Sequence, residues 1–373
     1  MKTIRIGFIH SLTGTMAISE KPLVDAMLMA IEEVNQNGGA LGHKIEPVIE
    51  DGASDPTVFM EKALQLIEKE NIFMLFGCWT SSSRKAVKPL VEKYKALLWY
   101  PVQYEGLEES PNIFYTGSSL NQQIIPAVNW CWEQQWTRIF LLGSDYVFPR
   151  SANKLIHAEL QHKKSKVLGE EYVPLGHMDF AGIINQIECI KPDVILNTLN
   201  GDSNLFFFKE LSNAGISAET LPTMSVSIAE QEFQKIGPSS MGNYACWSYF
   251  QSLDLPTNKM FIQKFKNHYG SNRVISDPIV AAYSNIHMWK QIVETTGSFE
   301  VEAIRQNASG QSFSSPGGEV ELQPNNHVSN YAHIGKVNQN GQFDIVWSSK
   351  EPIEPLPWLG VEKLNYPSAY LIK

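Results

Sequence analysis

Apolar positions along the chain fall into two alternating patterns. Short, nearly continuous apolar runs end in Gly, Ser or Pro, and longer segments follow in which apolar residues recur every third or fourth position. Ile4–Ile9 predicts a buried strand. Pro22–Asn35 predicts a helix: Leu23, Met27, Ala30 and Val34 share a face, Pro22 suits a first turn, and Gly38-Gly39 stops it. Lys44–Glu50 then reads as a strand, Pro56–Glu68 as a helix, Ile72–Phe76 as a strand, Ser82–Tyr94 as a helix and Ala96–Tyr100 as a strand. That alternation predicts a parallel sheet with crossover helices.

The pattern then restarts. Helices are predicted over Asn121–Gln134, Pro149–His162, Phe180–Cys189 and Ser203–Ala214, and strands over Arg138–Leu142, Lys166–Tyr172, Asp193–Thr198 and Leu221–Ser225. A complete second series implies a second domain. Past Ser248–Pro256 the order changes to helices at Lys259–Tyr269 and Asp277–Thr295, a hairpin at Ser314–Leu322, and alternating strands at Ala332–Val337 and Gln342–Trp347. The expected fold is α/β, with two lobes built on parallel sheets. Three hinge crossovers join them, near Thr116–Asn121, Ser248–Pro256 and Asn326–Tyr331. Residues 1–118 with 254–328 are assigned to one lobe, 119–253 with 329–360 to the other, and 361–373 to a C-terminal tail.

Composition narrows the function. With 373 residues there is chain enough for two cores. A net charge of −9 argues against nucleic acid or an anionic membrane as partner. Cys78, Cys131, Cys189 and Cys246 lie far apart, without metal-ligand spacing, and each sits in or beside an apolar run. All four read as buried thiols, and no metal or cofactor is expected. No apolar stretch reaches the ~18 residues of a membrane helix. Met1 is followed almost at once by the first strand, so the protein is either cytoplasmic or extracytoplasmic with its leader removed.

Polar chemistry gathers where predicted strands end, the position of ligand sites in open α/β sheets. Gly77–Ser83 follows one strand; Trp79, Thr80 and Ser81 are candidates there, with Ser81 or Ser82 as cap of the next helix. Tyr100, Gln103, Tyr104 and Glu105 follow the next strand, Tyr146 a third, Asn200 and Asp202 a fourth, and Ser227 a fifth. Asp145 and Asp202 also suit helix caps. No GxSxG, Walker, HExxH or GxGxxG motif is present. Cys78 with Glu105 and Lys85 would make an amide-hydrolysing trio, but no histidine lies near Cys78 in sequence, and no enzyme is expected. His157 and His162 read as solvated.

Six strings carry a family resemblance: GCWTSSSRKAV (77–87), LLWYPVQYEG (97–106), NIFYTG (112–117), GSDYVFPR (143–150), NTLNGDSN (197–204) and TMSVSIAE (223–230). They resemble the urea-binding proteins of bacterial ABC transporters and, more distantly, the amide sensor of the amidase operon. The resemblance runs from about Ile4 to Trp358. It implies the type I periplasmic-binding-protein fold, with two Rossmann-like lobes clamping a ligand, and it points to Ser81, Trp79, Thr80, Tyr100 and Tyr146. The amide sensor has proline where this chain has Gln103, as the urea binders do. The family's amino-acid receptors hold an ammonium with an acidic residue near Val226, where this chain has only Ser225-Val226-Ser227. The implied ligand is urea or a short amide, with an ABC permease as partner. The alternative is a sensing module whose partner is a signalling domain, and the tail at 361–373 reads as if cut from a longer protein. Urea needs donors at one oxygen and acceptors around two nitrogens. Ser81, backbone N–H groups and Tyr146 suit the oxygen; Gln103, Glu105, Asn200 and Asp202 suit the nitrogens; Trp79 and Tyr100 suit the flat faces.

Overall fold

A computed structural model describes residues 2–161 and 163–359. His162 and the tail assigned to 361–373 lie outside the described residues. Two sheets organise the rest. The first has five parallel strands in the order β2 (His43–Asp51), β1 (Lys2–His10), β3 (Met74–Gly77), β4 (Leu97–Tyr100), β5 (Ile113–Tyr115). Helices α1 (Ala17–Gln36), α2 (Pro56–Glu68) and α3 (Ser81–Lys93) connect them. Local chemistry sets the helix starts: Asp55 caps α2 by accepting from Thr57 N–H at 2.7 Å, with Pro56 in the first turn. Trp99 stacks on Phe76 and meets Phe114 edge-on at 4.7 Å, and all three are fully buried. Each such side chain contributes roughly 1.5–3 kcal/mol by burial.

The second sheet has seven strands: β14 (Phe343–Ser348), β13 (His333–Val337), β10 (Tyr244–Trp247), β9 (Thr223–Ser225), β8 (Val194–Thr198), β6 (Arg138–Ser144), β7 (Lys166–Val173). It is mixed: β10, β9, β8, β6 and β7 run parallel, as expected, and β13 and β14 add an antiparallel edge. β13 and β14 are joined by a few residues, a connection that permits only antiparallel pairing, and β13 also runs antiparallel to β10. Around this sheet lie α4 (Leu120–Glu133), α5 (Val147–Gln161), α6 (Ala181–Ile190), α7 (Ser203–Asn213) and α8 (Glu230–Ile236).

α9 (Pro256–Tyr269), α10 (Asp277–Thr296) and α11 (Val301–Asn307) pack into the core of the first sheet, through Phe261, Ile286, Trp289 and Ile304 among others. A hairpin of β11 (Ser312–Ser315) and β12 (Gly318–Glu321) follows. The chain passes between the two halves after β5, after β10 and after β12. Buried carboxylates pin both ends of the middle passage. Asp277 accepts from Ser248 N–H at 3.0 Å and from its hydroxyl, and Glu230 accepts from Gln251 N–H at 2.8 Å.

Strand order places a switch point in each sheet. In the first sheet the chain turns to opposite sides of β1, into β2 and into β3. In the second it does so at β6, into β7 and into β8. Each is a topological switch point, the position outside the carboxyl ends of strands where open α/β sheets generally take ligands.

Candidate ligand site between the lobes

The carboxyl end of β3 is shaped by Gly77. A Cβ there would stand 2.0 Å from the Ile9 carbonyl oxygen, at φ +148°, so no other residue fits. The chain then swings Trp79 toward the second lobe and starts α3. Thr80, not Ser81 or Ser82, is the cap: its hydroxyl accepts from Ser83 N–H at 3.1 Å. It is the residue that leaves the helix with extended backbone geometry, which is what a cap requires. By helix geometry the N–H groups of Ser81 and Ser82 find no partner inside the helix.

Behind α3's first turn lies a buried ionic network. Arg84, fully buried, donates from Nε to Glu108 at 2.9 Å, from Nη2 to Glu105 at 3.0 Å and from Nη1 to Ser81 Oγ at 3.2 Å. The Ser81 hydroxyl donates to Glu105 Oε2. Lys85 reaches Glu108 at 2.9 Å and Glu105 at 3.5 Å. The guanidinium lies 4.6 Å from the Tyr104 ring centre and 4.9 Å from that of Tyr100. Burial would raise the Glu108 carboxyl, but Arg84 and then Lys85 outweigh it and hold the group well below its usual range.

Several expected ligand groups therefore have other work. The Ser81 proton goes to Glu105. Tyr100 donates to the Trp79 carbonyl at 2.6 Å and lies 3.3 Å from that of Gln103, so it ties the two strand-end loops together. Tyr104 turns into the core, donating to the Glu108 carbonyl at 3.1 Å and pairing with His327. Asp202 starts α7 without a side-chain capping bond; its carboxylate accepts from the Thr15 hydroxyl of the opposite lobe. Asp145 pairs with Arg150 at 2.6 Å on the surface.

Other residues meet across the seam. Trp79 Nε1 donates to Asn200 Oδ1 at 3.3 Å, joining the switch points of the two sheets. Gln103 Nε2 donates to the Val226 carbonyl at 3.1 Å. Ser19 donates to Glu232 at 2.6 Å, and Asp202 N–H reaches the Thr15 carbonyl at 3.3 Å. The lobes are thus closed on each other. Among the described residues of this seam, Gln103 Oε1 from the first lobe and Ser227 Oγ from the second are buried without a partner. Tyr146 is half-buried beside Phe148; burial first, and then Tyr100 and Glu105, push its phenol upward and keep it a neutral donor.

Sequence reasoning missed one cluster here. His10 ends β1, and its Nδ1 lies 3.1 Å from Glu20, which also accepts from Ser11 N–H at 2.8 Å; His10 Nε2 is buried and unpartnered. A histidine directly after an apolar strand was the signal. The inter-lobe contacts of Thr15, Ser19 and Glu232 had no local signal. Cys78, Cys131 and Cys246 are buried, but Cys189 is exposed, which corrects its assignment: it lies near the end of α6, where Ile184 and Ile187 hold the inner face. Burial and then the Glu20 charge push the Cys78 thiol far upward, leaving it protonated and a poor nucleophile. His157 is part-exposed and pairs with Glu170 at 2.7 Å. Among the described residues no group of three or more His, Cys, Asp or Glu is placed to hold a metal ion, and no helix is long and apolar enough to cross a membrane.

Two α/β lobes closed over buried polar atoms at their switch points define a clamp for small solutes. The sequence matches the periplasmic binding protein domain family over residues 4–364, and the chain belongs to that family. It is 22% identical over 350 residues to a Leu/Ile/Val-binding protein homolog of Brucella melitensis, covering 90% of this chain and 87% of the relative. A Geobacillus stearothermophilus protein named limonene hydroxylase is 41% identical over 116 residues, which cover 31% of this chain and 21% of that relative's length. Among solved structures, a solute-binding protein of an ABC transporter from R. palustris, in complex with 4-hydroxybenzoate, superposes with TM-score 0.87 at 23% identity, covering 94% of this chain and 98% of that one. The isoleucine complex of LivJ from Streptococcus pneumoniae superposes with TM-score 0.83 at 18% identity, covering 95% and 100%. These likenesses establish the type I periplasmic-binding-protein fold.

Proposed function

We propose that the chain is a solute receptor that closes over urea, or a closely related short amide, and delivers it to an ABC permease from the extracytoplasmic side. One observation carries this: the unpaired Gln103 Oε1 and Ser227 Oγ face a closed seam from opposite lobes. An acceptor left unpaired between closing lobes calls for a ligand with N–H groups. Tyr146 and the first N–H groups of α3 supply donors for a carbonyl oxygen. Trp79 offers a flat apolar face.

Charge separates this ligand from those named for the structural relatives. Isoleucine and 4-hydroxybenzoate each bear a carboxylate. Here the Arg84 cation is spent on Glu105 and Glu108, and Glu20 adds negative charge at the β1 end. Residues 225–227 carry no acid for an ammonium. A neutral ligand avoids both conflicts.

The test is calorimetric titration with urea, formamide, acetamide, isoleucine and 4-hydroxybenzoate. Saturable urea binding is expected, weakened in Gln103→Leu by about 1–3 kcal/mol, roughly 5- to 150-fold in Kd. Binding of isoleucine or hydroxybenzoate without urea would overturn the reading.

A further inference from the structure

Behind the cleft, the three passages between the lobes converge on a separate cavity of about 40 Å³. A single buried water needs about 10–15 Å³, so there is room for a molecule of about three or four non-hydrogen atoms, the size of acetamide. Thr116 comes from the first passage, Ser248 and Tyr249 from the second, Asn330 and Tyr331 from the third. One face of α10 forms the floor, with Val280, Ala281, Ser284 and Met288 at helical spacing. The β11–β12 hairpin roofs it, and Ser284 Oγ donates to Ser315 Oγ at 3.1 Å between floor and roof.

Two buried side-chain amides line this cavity with a group unused. Asn285, 1% exposed, leaves Oδ1 without a partner; Asn330, 6% exposed, leaves Nδ2 without one. One is an acceptor and the other a donor, the complement of a primary amide's N–H and C=O. Val280, Val320 and Val328 make the remaining wall apolar. Asp277 on the floor and Glu319 at the exposed rim repel anions.

We propose that this hinge cavity is a second binding site, for a short-chain alkyl amide, and that its occupancy alters how readily the lobes close. The ligand's carbonyl accepts from Asn330 Nδ2, its N–H donates to Asn285 Oδ1, and its alkyl group packs on Val280, Val320 and Met288. All three passages contribute to the wall, so a filled cavity favours whichever hinge geometry fits the ligand better, and coupling to the cleft follows. The site stands independently of which solute the cleft takes.

Crystals of the full chain soaked separately in acetamide and methylammonium test the site directly. An amide bonded to Asn285 and Asn330 is expected; water alone in the cavity, or methylammonium in place of amide, overturns it. In calorimetric titration with acetamide, Ala281→Leu, which fills the cavity, and Asn285→Leu, which removes the acceptor, should each abolish one class of binding event seen in the wild type. Variants that titrate like the wild type overturn it as well. Saturating acetamide should shift the Kd for the cleft solute about five-fold more in the wild type than in Asn285→Leu, where only competition in the cleft remains; five-fold is the low end of allosteric coupling. An amide seated at the hinge with the same shift in both proteins overturns the coupling. Failure of urea to bind would sink the cleft reading alone, because the soak and the variant titrations need no cleft solute.

Discussion

Arg84→Met is the most demanding perturbation for the buried network. Arg84 is fully buried and bonds two carboxylates whose side chains are 1% and 4% exposed. The substitution keeps an unbranched apolar stem but leaves Glu105 and Glu108 with Lys85, itself about a third exposed, as their bonded cation beside the neutral Ser81 and Tyr115 hydroxyls. Breaking a buried pair by deleting one partner costs about 3–5 kcal/mol. Lys85 offsets part of this, while the loss of two carboxylate contacts and the stacking on Tyr100 and Tyr104 acts against the offset. We expect about 3–5 kcal/mol, a large share of the roughly 5–15 kcal/mol of a typical domain. The pH dependence has a definite sign. Glu108 is held low in the folded protein, so its contribution is present above the usual carboxylate range and is lost as pH falls through the folded value. Without Arg84, burial raises the Glu108 carboxyl, so the variant's deficit should be greatest near pH 8 and shrink toward pH 5. The assay is guanidinium chloride unfolding, since urea is the candidate ligand. Arg84→Lys should recover only part of the loss, having charge without the planar fork. A deficit below about 1 kcal/mol, or one equally large at pH 5 and pH 8, would refute the reasoning.

Other outcomes follow from the same structure. Trp79→Phe keeps the ring face but deletes the bond to Asn200, so closure should weaken by about 0.5–1.5 kcal/mol, read as a higher solute Kd with unchanged melting of the unliganded protein. Buried Glu230 and Asp277 are pushed up to about 8 and about 6, chiefly by burial, so folding takes up protons there and stability falls as pH rises through 6 to 8. Burial lowers His327 and His333 to about 4, so stability also falls as pH drops below about 6.5. The melting temperature should therefore peak near pH 6, and Glu230→Gln should flatten the alkaline limb; a plateau from pH 6 to 9 in the wild type would count against this. A thiol reagent should label Cys189 quickly and the other three cysteines only on unfolding. Rapid loss of more than one thiol in the native protein would contradict the burial described.

The sequence by itself determined the order and type of most elements. A continuous apolar run between turn residues, followed by a 3.6-residue stripe, has few options other than strand and crossover helix, so the parallel first sheet and the polar strand ends were legible. Strands too short to show a period, Ile113–Tyr115 and Tyr244–Trp247, and the seven-residue helix Glu230–Ile236 were not. Nor was the antiparallel return of His333–Val337 and Phe343–Ser348, because alternation tells which face of a strand is buried and not which strand lies beside it.

Only the tertiary structure decided which strand-end hydroxyls and carboxylates are free. Tyr104 and His327 stand 223 residues apart, and Gln103 and Val226 stand 123 apart, yet each pair is in hydrogen-bond contact. Local sequence places a polar group at the edge of a sheet through backbone pattern. Whether that group binds a ligand, caps a helix or neutralises an arginine depends on what the fold brings within about 3 Å of it, which no local pattern encodes.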